Sequence, residues 1–83
     1  MADAHIRAVA VVAALREARD PLTLAEVRER VEDRLAETVS GTTIWRLVRS
    51  LESAAPRLGF LFERHPPTLA PSRAPRFRIR CIG

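Results

Sequence analysis

Eighty-three residues, 47% of them hydrophobic and 29% charged, with a formal net charge of +4, make one small domain over residues 1–83 that buries about 60% of its unfolded surface. The lone cysteine, Cys81, excludes an internal disulfide, and with only His5 and His65 beside it the chain lacks zinc-ligand spacing. The longest apolar run, residues 8–15, is far shorter than the ~20 residues of a membrane span, and no charged-then-apolar leader opens the chain, so a soluble, cytoplasmic protein without metal or cofactor is expected.

The first predicted element is a helix over about residues 5–19, stopped by Asp20 and Pro21. Ile6, Val9, Ala10 and Ala13 fall on one face, and Ala8, Val11, Val12 and Leu15 fill a second. A helix apolar nearly all round is buried on two sides. The second side is expected to meet the C-terminal strands or another chain, with Val11, Val12 and Leu15 as the contacts of a homodimer or a partner protein.

A second helix is predicted over about 23–37. Thr23 and Glu26 have capping-box spacing, the hydroxyl taking an orphan N–H while the carboxylate reaches back. Leu24, Val27, Val31 and Leu35 form its apolar stripe. The other face, Glu29, Arg30, Glu32, Asp33 and Glu37, is net acidic and reads as solvated rather than as a phosphate site.

A short connection leads to a third helix over about 41–55, with Ser40 as its N-cap and Pro56 as its stop. Ile44, Leu47, Val48 and Leu51 make the core stripe. Beyond Pro56 the period changes to alternation. Phe60 and Phe62 alternate with Leu61 and Glu63, and Phe77, Ile79 and Cys81 alternate with Arg76, Arg78 and Arg80, which predicts strands over about 58–65 and 76–82. Cys81 then reads as a small core residue. The segment between them, "HPPTLAPSRAP", makes a long, semi-stiff hairpin tip. The fold class is α+β, mainly α.

Charge is divided along this order. Residues 1–41 carry six arginines against eight acids, net −2; residues 42–83 carry eight arginines against two acids, net +6. Such asymmetry is the footprint of a surface that meets phosphates. Two helices joined by a tight turn, the second exposing short polar and basic side chains near its N-terminus, form a helix-turn-helix that reaches base edges in the major groove. Thr42, Thr43, Trp45, Arg46 and Arg49 lie off the core stripe of the third helix. Arg46 or Arg49 can pair with guanine N7 and O6 or hold phosphates, and Thr42 and Thr43 can donate to phosphate beside the helix N-terminus. Trp45 fits either the core or the surface.

The run "TTIWRLVRSLESA" followed by two strands resembles the recognition helix of winged helix-turn-helix regulators, through Thr43, Ile44, Trp45, Arg46, Leu51, Glu52 and Ala54. The resemblance implies three helices and a hairpin wing, with residues 40–54 in the major groove of double-stranded DNA. It also implies a wing tip over residues 66–75, with Arg73 as a contact and Arg76 and Arg78 at its base, and it suggests a small transcriptional regulator. The glycine and aliphatic pair that usually follows the third helix is replaced here by "APRLGF", which shifts the start of the first wing strand.

The alternative is a winged-helix module for protein interaction or dimerisation that does not touch DNA. An enzyme is not expected: Glu17, Glu26 and Glu52 are scattered over different helices, no Ser/His/Asp arrangement is visible, and with glycines only at 41, 59 and 83 there is no phosphate-cradling loop.

Overall fold

The structure, a computed structural model, describes residues 3–65 and 74–81; of Cys81 only the backbone is described. The element order is α1 (Ala4–Glu17), β1 (Leu22–Thr23), α2 (Leu24–Leu35), α3 (Gly41–Leu58), β2 (Phe60–His65) and β3 (Arg76–Cys81). Three helices thus pack with a three-stranded antiparallel sheet of order β1-β3-β2. None of the described helices is long and apolar enough to cross a membrane.

Each helix starts at a side-chain cap. Asp3 Oδ1 accepts the Ile6 N–H at 2.9 Å on α1, and Ser40 Oγ accepts the Thr43 N–H at 3.1 Å on α3. On α2 the capping box is complete: Thr23 Oγ1 accepts the Glu26 N–H at 3.2 Å, and Glu26 Oε1 accepts the Thr23 N–H at 3.1 Å. These bonds satisfy donors that the first helical turn leaves without partners.

Proline does not stop α3. The helix runs through Pro56 to Leu58, and Gly59 at φ 81° closes it by donating its N–H to the carbonyls of Ala55 and Pro56. Pro56 falls in the last turn, where the missing N–H costs one bond, while Ala55 beside it is buried and keeps the turn packed. The left-handed residue after the helix, here Gly59, is the effective terminator.

The core gathers Ala10, Val11, Ala14 and Leu15 of α1, Leu22 of β1, Val27 and Val31 of α2, Val39, Ile44, Val48 and Leu51 of α3 and its approach, and Phe77 and Ile79 of β3. Phe77 is fully buried, in tilted contact with Phe62 at 5.9 Å between ring centroids. Helix α1 is central, touching α2, α3 and β3. Of the two neighbours expected for its second apolar face, the C-terminal strand β3 is the one found, and the expected partner contacts are corrected. Val11 and Leu15 are 1% and 2% exposed and Val12 packs against the core, so Val11 and Leu15 are not open to a partner; Ile6 and Val9 instead face outward at 47% and 55%.

The sequence pattern had no signal for β1, whose two residues pair with β3 as Leu22↔Phe77 and Thr23↔Arg76. On its other side β3 pairs with β2 from Phe60↔Cys81 to His65↔Arg76. That register decides which hairpin side chains share a face.

Candidate functional site

Helix α3 carries two stripes of identical spacing. Ile44, Val48, Leu51 and Ala55 are buried, and Thr42, Arg46, Arg49 and Ser53 are exposed. The second set is displaced by two residues, about 200° around the axis, so it lies opposite the core. Thr43 is half-buried, its hydroxyl 2.9 Å from Ser40 Oγ, which engages it in the cap and leaves Thr42 as the outward threonine.

Trp45 resolves into both roles left open for it. It packs against the core at the flank of α3, and two guanidinium groups lie over its ring, Arg49 at 5.4 Å and Arg64 at 5.9 Å from the centroid. Both distances fall in the range of cation–π attraction. Arg64 also lies 5.3 Å from the centroid of the Phe77 ring and 3.7 Å from Glu52 Oε1.

The hairpin arginines divide by strand alternation. In β3, Phe77 and Ile79 are buried, so Arg76, Arg78 and Arg80 take the other face of the sheet. Directly paired residues share a face, which puts Glu63 with Arg78, and Arg64 with Phe77. Arg76 and Arg78, expected as DNA contacts at the base of the wing, therefore lie on the sheet face opposite Phe77 and Arg64. Arg76 instead donates to Glu26 Oε1 at 3.1 Å and to the Pro21 carbonyl at 3.3 Å, near the start of α2. Arg64, from the inner face of β2, is the hairpin arginine that joins α3. Its signal was in the sequence: it continues the inward alternation Phe60, Phe62, Arg64. Arg73 lies outside the described residues.

Ion pairing separates the arginines further. Arg7 pairs with Glu37, Arg28 with Glu32, Arg34 with Glu17, Arg64 with Glu52, Arg76 with Glu26 and Arg80 with Glu63. Among the described residues, Arg16, Arg19, Arg30, Arg46, Arg49, Arg57 and Arg78 are in none of these pairs. Arg46, Arg49 and Arg57 stand on α3, where Glu52 is the only acid.

The acidic residues of α2 and of the turn after it are less idle than their composition implies. Glu32 accepts the Val39 N–H at 2.8 Å and Glu37 holds Arg7 of α1, so these two carboxylates anchor the turn between α2 and α3. The Thr23 backbone and side-chain hydrogen bonds, helped by the charges of Arg76 and Arg30 and opposed by slight desolvation, hold the Glu26 carboxyl below its ordinary pKa. His5 and His65 are exposed.

No protein-family model matches this chain, and comparisons with curated proteins and with solved structures give no significant match.

Proposed function

We propose that this chain is a winged helix-turn-helix domain that binds double-stranded DNA, with α3 as the recognition helix, and that it serves as a small transcriptional regulator. The observation that carries this reading is the stripe of Thr42, Arg46, Arg49 and Ser53, exposed and opposite the core, with both arginines lacking a carboxylate among the described residues. An α-helix fits the width of the B-DNA major groove, and planar guanidinium forks match guanine edges or phosphate oxygens.

The α2–α3 pair supports the same reading. A tight turn of five residues, 36–40, separates the helices, and Glu32 and Val39 fasten it. The turn presents the N-terminal half of α3 to the partner while α2 lies behind it, as a helix-turn-helix requires. Affinity is dominated by phosphate contacts, and with about five of them log K falls against log salt with a slope near −4 to −5. Anisotropy titration of a random-sequence duplex at several salt concentrations tests the proposal, and a flat response at low salt would reject it.

A second reading, protein docking without DNA, is favoured by the outward Ile6 and Val9 of α1. The two readings separate cleanly. If docking is the function, Arg46→Ala and Arg49→Ala leave the native interaction intact and Ile6→Ser with Val9→Ser abolishes it.

A further inference from the structure

Two arginines share one indole, and among the described residues the one carboxylate that forms an ion pair with either of them is that of Glu52. Arg49 and Arg64 come from different elements, yet both guanidinium carbons lie within 6 Å of the Trp45 centroid. Bringing two like charges to one ring is unfavourable unless an anion compensates. Glu52 is the sole acid on α3, and its Oε1 is 3.7 Å from Arg64 Nη2. That is beyond hydrogen-bond length, and the two side chains are 40% and 39% exposed, so the pair is loose and exchangeable. The cluster keeps a surplus positive charge.

Resting on the DNA-binding reading, we propose that Arg64 is a phosphate-binding residue of the α3 surface and that Glu52 is a built-in competitor which occupies it in the free protein. The Trp45 and Phe77 rings hold the Arg64 guanidinium from within 6 Å, and its planar N–H fork matches two phosphate oxygens. Trp45 and Phe77 are positioning residues: they limit the rotamers of a long side chain, so less entropy is lost when the phosphodiester is bound. The phosphate belongs to the strand bordering the groove that α3 occupies. On binding, Arg64 leaves Glu52 for the phosphate, and Glu52 thereby sets how tightly any duplex is held, independent of its sequence.

The test uses the full chain and a fluorescein-labelled random duplex, with Arg46→Ala as the control for the α3 reading. Arg64→Ala is expected to weaken binding about fivefold and to reduce the salt slope by about 0.9, one phosphate contact. Arg64→Lys restores the slope but only part of the affinity, because the charge returns without the planar fork. Glu52→Gln tightens binding about threefold in the wild-type background and has no effect in the Arg64→Ala background. The single tryptophan reports directly: duplex shifts Trp45 emission in the wild-type chain and shifts it less in Arg64→Ala.

If Arg46→Ala weakens binding while Arg64→Ala does not, this proposal is overturned and the α3 reading stands. A wild-type chain that binds no duplex overturns both. An equal gain from Glu52→Gln in both backgrounds shows a general field effect and removes the competitor role.

Discussion

Glu32 on α2 accepts a hydrogen bond from the backbone N–H of Val39, seven residues on, at 2.8 Å. Val39 is itself buried, so one side chain and one amide lock the segment that precedes the Ser40 cap. The mutual placement of α2 and α3 depends on this carboxylate. Glu32→Ala is expected to cost about 1–2 kcal/mol in urea unfolding, since a hydrogen bond to a charged group is lost and a buried amide is left without its acceptor. DNA affinity should fall as well with the salt slope unchanged, because orientation is disturbed and no phosphate contact is removed.

Acid should act through Glu26. Its carboxyl titrates below the usual value in the folded chain, so it contributes stability above the unfolded-state pKa and loses it as pH falls through the lowered folded value. The difference in melting temperature between wild type and Glu26→Gln is expected to be largest near neutrality and to shrink toward pH 3. A difference that grows on acidification would contradict the assignment of the capping box and Arg76 as its stabilisers.

Ala36 caps α2 at φ 54°, the only non-glycine residue with positive φ among those described. A Cβ in the left-handed region is strained by about 1–2 kcal/mol, part of which glycine returns as extra freedom in the unfolded chain. Ala36→Gly is expected to stabilise the protein by about 0.5–1 kcal/mol in thermal or chemical denaturation.

Removing the outward arginines should separate binding from folding. Arg46→Ala with Arg49→Ala is expected to lower the salt slope by about 1.8 and to weaken DNA binding more than tenfold. The melting temperature should stay nearly unchanged, as both side chains lie on the exposed stripe. A large loss of stability instead would mean that they hold the fold.

Helix α1 offers a contrast between its inner and outer apolar residues. Leu15→Ala, in the core, is expected to cost about 2–5 kcal/mol, whereas Ile6→Ser with Val9→Ser should change stability little, about 0.5 kcal/mol per site. Sedimentation at micromolar concentration then reads whether the outward pair mediates self-association: a dimer in wild type that becomes monomer in the double variant assigns the interface to Ile6 and Val9.

Legibility varied with how local the signal was. The capping box at Thr23 and Glu26, the Ser40 cap and the buried stripe from Ile44 to Leu51 follow from residue spacing within one or two turns, and all appear in the structure. Both hairpin strands were legible from alternation, but β1 was not, because two residues carry no period and their strand exists only through pairing with β3. The second apolar face of α1 left two neighbours open, the C-terminal strands or another chain, and packing against β3 decides between them: with apolar residues nearly all round, periodicity does not say which element covers which side.

The amino-acid sequence by itself determined the three helices, the Thr23 and Ser40 caps, the hairpin and the concentration of arginine in its second half, since each depends on neighbours a few positions apart. Only the tertiary structure decided which arginines keep company. Strand register sent Arg76 and Arg78 to the outer face of the sheet and set Arg64 beside Phe77 on the inner one, close to Trp45 and Arg49 of α3. Such groupings join residues far apart in the chain, and packing rather than local propensity selects them.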